Sequence, residues 1–272
     1  AFDFEWTNKT IMYGAYVRTV SPFQNSDLMA SGPPSPEELV LLEPFRGKVP
    51  DEVFGMPFVP PVSDGSGQDR KLLRRAVQLL NDAGFPIKDG KRMTPQGELF
   101  RVEFLLDEPA FQAHHMPYIK NLGTLGIEAT LRLVDPVQAR ARRDDFDFDM
   151  VIERFGFSTV PGDSLRPFFS SQAAGTKGSN NLAGIADPAV DSLMEQVIAA
   201  DTRAKLVFAA RALDRVIRAG RYWVPQWYSN LHRLAYWDVF GHPPHLPKYL
   251  GVMAPDIWWS TQAGAASSGQ AK

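Results

Sequence analysis

The sequence predicts an α/β fold in which a mixed, mainly parallel sheet is flanked by helices. In the middle of the chain, three segments rich in apolar, β-branched and aromatic residues have the composition of strands. They are predicted at residues 99–106, 128–134 and 146–155, with helices between them at residues 111–125 and 136–143. Strands that alternate with helices form mainly parallel sheets, and the crevice of such a sheet lies beyond the carboxyl ends of its strands.

The chain begins with a predicted helix. Phe2, Trp6 and Ile11 recur at near-helical spacing, and no capping residue precedes them, which indicates a helix entered partway along. The chain has no initiator methionine, and its first residues lack the basic start and apolar stretch of a secretory signal. We therefore expect this sequence to be a fragment of a longer protein.

Two further helices are predicted before the first long strand. Pro36 opens a short helix over residues 37–42, and residues 69–83 form an amphipathic helix that Gly84 ends. Residues 45–67 between them are rich in proline and glycine, and we expect them to be ordered but irregular because their larger apolar side chains require burial. The side chains concerned are Phe54, Met56, Phe58 and Val59.

Two helices and a long strand are predicted towards the C-terminus. Asp187 is a good N-cap for a helix over residues 188–200, because its side chain can accept from the first free backbone N–H groups. Either Thr202 or the aspartate before it caps a second helix, which Gly220 ends in the left-handed conformation. A strand rich in aromatic and β-branched residues follows and extends to Trp237.

Composition and charge exclude several classes of protein. The 272 residues are 44% hydrophobic and 22% charged, which is typical of a globular protein with a sizeable core. The formal charge of −2 creates no field that would recruit nucleic acid or an anionic membrane. The absence of cysteine excludes disulfides, thiol catalysis and cysteine-ligated metals, and it suits an exported bacterial protein.

The residue clusters that might carry chemistry have simpler explanations. His114 and His115 are adjacent on a predicted helix and point to different faces, so they do not ligate one ion comfortably. Asp147 and Asp149 lack the glycine and closing glutamate of a calcium loop, and they are predicted to form one polar strand face. The sequence contains no Gly-x-Ser-x-Gly elbow. We predict no catalytic residue, metal ligand or cofactor.

Three consecutive segments near the C-terminus resemble a known family. They are NNLAGIADPAVDSLMEQ, the helix RALDRVIRAG and the strand WVPQWYSNLHRLAYW. This run is similar to the Asn-rich loop, Asp-Pro helix, long helix and aromatic strand of the family 5 extracellular solute-binding proteins, the oligopeptide and dipeptide receptors of bacterial ABC importers. The likeness extends over roughly residues 2–259 and is greatest to periplasmic receptors associated with peptide and peptide-antibiotic uptake.

The resemblance implies a lobe of the type II periplasmic-binding-protein fold. Residues 1–229 are then the C-terminal ligand-binding lobe, similar to domain III of the family. Residues 230–260 are a strand region that returns towards a missing N-terminal lobe. Residues 261–272 contain little that could be buried, and we expect them to form a disordered tail.

The resemblance places ligand binding in the loop over residues 154–163. Related receptors carry a Gly-aromatic pair here, whose ring lines the ligand cleft, followed by an acid that binds the α-amino group of the peptide. Gly156 and Phe157 match the pair, so we expect Phe157 to be solvent-accessible, and Arg154 is placed to bind a ligand carboxylate bidentately. The alternatives are that Phe157 belongs to the core and that Arg154 pairs with a nearby acid.

The sequence departs from the family pattern at the acid. The equivalent position falls near Val160, and Asp163 is the nearest carboxylate, so either the loop geometry has shifted or the ligand amine is held elsewhere. Ser158 in the same loop is a further candidate for ligand binding. Asn180 and Asn181 offer amide donors and acceptors, although asparagine in turns is commonly there for local hydrogen bonds.

We therefore expect the substrate-binding component of an ABC importer, which captures peptides or peptide-like solutes in an interlobe cleft and performs no chemistry. The resemblance implies a periplasmic monomer whose partners are the solute and the membrane permease subunits of the importer, with no nucleic acid. One alternative is a sugar or metal-chelate receptor on the same fold. Others are an α/β hydrolase and a noncatalytic interaction domain whose aromatic strand binds a partner.

Overall fold

The structure, a computed structural model, describes residues 1–231, 233–246 and 251–261. The chain groups into two compact units, Ala1–Tyr228 and Ser229–Lys272. All but the first residue of the predicted tail lies outside the described residues. Within the described residues, every helix is too short or too polar to span a bilayer.

The first unit contains most of the regular structure. Its α-helices are α1 Phe4–Thr10, α2 Pro36–Leu42, α3 Arg70–Asp82, α4 Gln112–Thr124, α5 Pro136–Asp144, α6 Arg166–Phe169, α7 Ser171–Ala174, α8 Pro188–Ile198 and α9 Arg203–Gly220. Its strands are β1 Val17–Arg18, β2 Ile87–Lys88, β3 Lys91–Arg92, β4 Arg101–Leu106, β5 Glu128–Leu133, β6 Met150–Val151 and β7 Trp227–Tyr228. Short 3₁₀ turns lie at Glu43–Phe45, Asp51–Phe54, Pro109–Phe111 and Gly162–Leu165.

The predicted parallel sheet is confirmed. Its strand order is β5-β4-β6, both pairings are parallel, and α4 and α5 provide the connections between successive strands. The third strand is shorter than predicted. It begins later, because the chain leaving α5 turns at Phe146, whose φ of 55° is left-handed, and it ends at Val151. Phe146 and Asp147 are therefore not on a strand, and the predicted polar face of Asp147 and Asp149 does not form.

The predicted helices α8 and α9 form the centre of the larger hydrophobic core. Asp187 caps α8 by accepting from the Ala189 N–H at 2.8 Å, and Thr202 caps α9 by accepting from Lys205 at 3.3 Å. The helix α9 ends at Gly220, as predicted, but Gly220 is not left-handed. Arg221, with φ of 51°, is the left-handed residue there, and Gly220 is small because the Tyr222 ring packs directly over its backbone.

Three charged residues of α9 are buried, which the sequence did not lead us to expect. The Arg215 guanidinium pairs with Glu38 of α2 at 2.7 Å, and it donates to the carbonyls of Gly32 and Gly55 at 2.9 Å each. Asp214 accepts from the Ser21 hydroxyl at 2.6 Å and from the Ala30 N–H at 2.9 Å. The third is Arg218, which donates to the Phe58 carbonyl at 2.8 Å.

These bonds explain how residues 45–67 are ordered. The segment is irregular, as predicted, but two of the side chains expected to be buried are not: Met56 is 66% exposed and Val59 is 57% exposed. Val53 is buried instead, and buried arginines of α9 bind the carbonyls of Gly55 and Phe58. The order therefore comes from hydrogen bonds to buried cations, which stabilise irregular backbone that apolar packing alone leaves unpaired.

Two predictions about the ends of the chain need correction. The first helix does have a capping residue, because the Asp3 side chain accepts from the Trp6 N–H at 2.9 Å and α1 begins at Phe4. The long aromatic strand is reduced to β7, which pairs antiparallel with β1. Of the residues predicted to continue it, 231 and 233–237 are described, and these are not in a strand.

The second unit has little regular structure among its described residues. It contains β8 Phe240–Gly241 and β9 Trp259–Ser260, which pair antiparallel, and a 3₁₀ segment Gly251–Ile257. The Trp258 ring packs against Tyr236 at a centroid distance of 4.5 Å and against His242 at 5.5 Å. Aromatic contacts and one short ribbon therefore hold this unit together.

Candidate functional site

A carboxylate and a guanidinium meet at one edge of the parallel sheet, where the strands β4 and β6 have their carboxyl ends. Glu108 follows β4 and Arg154 follows β6. The Arg154 Nη2 atom lies 2.9 Å from Glu108 Oε1 and 3.1 Å from Oε2, and both side chains are exposed. The guanidinium also lies over the Phe111 ring, 5.3 Å from its centroid. Of the two alternatives for Arg154, the structure therefore shows pairing with a nearby acid.

An aromatic wall, formed by Phe111, His114 and Trp227, adjoins this ion pair. The His114 and Trp227 rings are stacked, with centroids 5.2 Å apart and planes inclined by 30°. Phe111 lies 5.6 Å from His114 and 6.4 Å from Trp227. All three side chains are half-buried, so each keeps part of its ring available to a ligand.

His115 lies behind the wall in the core. Its Nδ1 lies 2.8 Å from the Phe111 carbonyl, which can only accept, so Nδ1 carries the proton. Its Nε2 lies 3.4 Å from Gln226 Nε2 and accepts from that amide. Burial lowers the pKa of His115, the neighbouring His114 lowers it further, and the bond to Phe111 acts in the opposite direction. The buried imidazole is therefore neutral at neutral pH.

This burial makes stability depend on pH. Since the pKa of His115 is lower in the folded state, the unfolded chain binds a proton first as pH falls below about 6.5. Stability is then lost by up to about 1.4 kcal/mol per pH unit, until the folded pKa is reached. We expect urea unfolding at pH 7.5, 6.5 and 5.5 to show this fall, and His115→Gln to reduce its slope. An identical slope in the variant would contradict the assignment.

The surroundings of Phe157 combine features of the cleft role and of the core role considered for it. Its ring is half-buried and packs against the larger core, with centroids 5.2 Å from Phe168, 5.4 Å from Phe169 and 5.7 Å from Phe23. The expected solvent access is present, but the ring also supports the core beneath it. Arg203 of α9 donates to the Thr159 carbonyl two residues later, which holds this part of the loop against the helix.

The other predicted residues of this loop make local contacts. The Ser158 hydroxyl donates to the Val160 carbonyl at 2.7 Å and accepts from the Val160 N–H at 3.2 Å. Asp163 is exposed and pairs with Arg166 at 3.0 Å, and Arg166 also pairs with Glu195. The loop therefore exposes Val160 and keeps its own carboxylate partnered.

The two asparagines have different environments. Asn180 is exposed. Asn181 is 1% exposed, and its amide donates to the carbonyls of Ser170 at 3.0 Å and Ile185 at 2.8 Å. Its Oδ1 accepts from the Ile185 N–H at 2.8 Å. Asn181 therefore uses both N–H donors to hold the turn before α8.

Sequence reasoning missed the acid and the aromatic wall. Glu108 and Phe111 follow the carboxyl end of a correctly predicted strand, which is a signal that could have found them. His114 and Trp227 offered no such signal, because their stacking depends on where β7 lies relative to α4. Among the described residues, no cluster of three or more histidine, aspartate and glutamate side chains is arranged to hold a metal ion.

This parallel sheet with flanking helices has the fold of the type II periplasmic binding proteins. A family model of the bacterial extracellular solute-binding proteins, family 5 (middle region), matches residues 1–176. The chain belongs to this family.

Relatives and solved structures agree with this assignment. The chain is 43% identical over 266 residues to the probable peptide-binding protein YejA of Agrobacterium fabrum, covering 97% of this chain and 43% of that protein. It is 34% identical over 263 residues to the peptidoglycan-binding protein YepA of the same bacterium, covering 96% and 42% respectively. The chain thus spans less than half the length of these relatives.

A solved structure supports the fold alone. The oligopeptide-binding protein AppA from Bacillus subtilis, in complex with a nonapeptide, superposes with a TM-score of 0.62 at 15% sequence identity. The match covers 96% of this chain and 45% of that one. The shared fold therefore extends over nearly the whole chain.

Proposed function

We propose that this chain is part of the substrate-binding component of a bacterial ABC importer and forms one wall of a cleft that captures peptides or peptide-like solutes. The wall works by binding alone, without cofactor or chemistry. The protein acts in the periplasm as a monomer and delivers its solute to the membrane permease subunits. Membership of a solute-binding family and 43% identity to a probable peptide-binding protein support this proposal.

One observation carries the proposal. Exposed charged groups and half-buried rings meet where the parallel strands β4 and β6 end, which is where open α/β sheets bind ligands. A peptide carries charged termini and apolar side chains, and this edge offers a partner for each. Glu108 and Arg154 suit the termini, and the aromatic wall suits a side chain.

The predicted site residues contribute unequally to this face. Phe157 and Arg154 present a ring and a cation, and Ser158 lies beside the ring in the same loop. Asp163 and Asn180 are exposed, and we assign them contacts with the ligand at the periphery of this face. We assign Asn181 a supporting role, because its amide N–H groups hold the turn.

Native mass spectrometry of the full-length protein, purified without refolding, tests the ligand class. We expect a bound species whose fragments are those of a peptide or a peptidoglycan-derived peptide. The peptidoglycan-binding name of the YepA relative makes the second kind a specific candidate. A bound sugar without amino acids, or a bound metal chelate, would overturn the peptide assignment.

Phe157→Ala should weaken peptide binding by roughly tenfold or more, because stacking and packing against one ring contributes about 1–3 kcal/mol. Stability should fall as well, by less than the ~3–5 kcal/mol of a fully buried phenylalanine, because the ring is only half-buried. Calorimetric titration with the peptide identified by mass spectrometry measures the first effect, and urea unfolding measures the second.

Phe54→Ala is the matched control for Phe157→Ala. Phe54 is also half-buried against the larger core, but it lies in the 3₁₀ turn Asp51–Phe54 and not in the loop that follows β6. We expect a similar loss of stability with unchanged affinity. If Phe157→Ala leaves affinity unchanged too, its ring does not line the cleft.

A further inference from the structure

The ion pair between Glu108 and Arg154 is unlike the other charged contacts of this loop. Its side chains are 50% and 68% exposed. The Glu108 carboxylate is bound by Arg154 alone among the described residues, whereas Asp163 shares Arg166 with Glu195. Glu153 is mostly buried against Arg143. Glu108 is therefore an exposed carboxylate at this edge whose single partner is itself exposed and can be displaced by a ligand.

The pair can be separated at little cost. An exposed ion pair gains little over its two hydrated ions and holds two side chains in one geometry. Arg154 does not depend on Glu108 for its position, because its guanidinium also lies over the Phe111 ring. When Glu108 turns to another cation, Arg154 keeps this contact and is free to bind an anion.

The aromatic wall offers an apolar surface next to the ion pair. Phe111 touches Arg154 on one side and adjoins His114 and Trp227 on the other. A group attached next to a ligand ammonium on Glu108 can therefore lie against half-buried aromatic rings. Ammonium binding to a carboxylate beside such a wall is also favoured by the negative faces of the rings.

We propose that Glu108 is a specificity-determining residue: the ammonium group of the ligand replaces Arg154 as the partner of the Glu108 carboxylate. This inference rests on the proposed function. The released Arg154 binds the ligand carboxylate, so that two new ion pairs replace one and no charge is left unpaired. The site thereby selects zwitterionic, free-amine peptides over peptides with a blocked amine.

The test compares free and blocked amines on the full-length protein. A random tripeptide library and the same library N-acetylated are each incubated with the protein, and the retained peptides are identified by mass spectrometry after gel filtration. The best-retained sequence is then synthesised in both forms and titrated by calorimetry. We expect the acetylated form to bind wild-type protein roughly tenfold or more weakly, because a charge-assisted bond is lost.

Glu108→Gln should remove this discrimination, so that both forms bind with equal affinity. Glu128→Gln is the matched control. Glu128 forms an exposed pair with Arg101 at 3.2 Å, at the amino ends of the neighbouring strands β4 and β5, on the opposite edge of the sheet. This control should discriminate as the wild-type protein does. Thermal unfolding verifies that both variants are folded.

The outcomes separate the inference from the proposed function. If the wild-type protein retains peptides but does not distinguish the two forms, or if Glu108→Gln still distinguishes them, Glu108 does not bind the amine, while the peptide function stands. If neither library is retained, the proposed peptide function fails, and the inference fails with it.

Discussion

Arg215→Met should lower the free energy of unfolding by about 3–5 kcal/mol, because removing one partner of a buried ion pair leaves the other charge uncompensated. The Arg215 side chain is 0% exposed and that of Glu38 is 3% exposed. The substitution also leaves the carbonyls of Gly32 and Gly55 without their donor. Urea unfolding monitored by tryptophan fluorescence measures the effect.

Arg221→Met is the matched control for this substitution. Arg221 directly follows α9 and pairs with Glu52, but the side chains are 48% and 35% exposed. Such a pair contributes about 0–1 kcal/mol. If the two substitutions cost the same, burial of the Glu38 pair contributes nothing, and the irregular segment must be held by other means.

A double variant separates the charge from the hydrogen bonds. In Glu38→Met with Arg215→Met, neither buried charge remains, so part of the stability lost in the single variant should return. Recovery should be incomplete, since the carbonyls of Gly32 and Gly55 still lack a donor. Full recovery would show that these two hydrogen bonds make no net contribution.

The helices were predicted well where their signals are local. Asp187 and Thr202 each cap a helix that begins within one residue of them, so the sequence contains the whole signal. The predicted strand at residues 146–155 starts too early, because a left-handed turn at a bulky residue such as Phe146 has no sequence signature. Local sequence patterns therefore predict the presence of helices and strands better than they predict where a strand begins and ends.

The buried charges could not be predicted for a different reason. Arg215 pairs with a residue 177 positions earlier, and Asp214 with one 193 positions earlier. On a helical wheel these residues are indistinguishable from a solvated face, and only the tertiary fold shows that α9 is covered there.

The candidate site also combines residues that local sequence indicates with residues that only the tertiary fold brings together. The loop with Arg154 and Phe157 was found through resemblance to a family, and the structure places it at the expected edge of the sheet. Glu108 is 46 positions from Arg154 and is brought to it by the pairing of β4 with β6. Trp227 reaches the site from β7. Which strands are neighbours is a long-range property, so the composition of the site followed only from the fold.

Phe169→Ala should lower the free energy of unfolding by about 3–5 kcal/mol, because it removes buried apolar surface and creates a cavity in the larger core. Phe169 is 0% exposed, and its ring centroid lies 5.4 Å from Phe157 and 6.0 Å from Trp223. This is a large part of the total stability of a typical domain, about 5–15 kcal/mol. Urea unfolding of wild-type and variant protein gives the difference directly.

The comparison with Phe157→Ala decides how core and binding face are divided within one aromatic cluster. Phe169→Leu is the control, because it keeps most of the buried volume and should cost much less than the alanine. If Phe157→Ala costs as much stability as Phe169→Ala, the Phe157 ring is core, and its exposed edge is incidental. A smaller loss of stability accompanied by a loss of affinity is the result expected of a ring that rests on the core and faces the ligand.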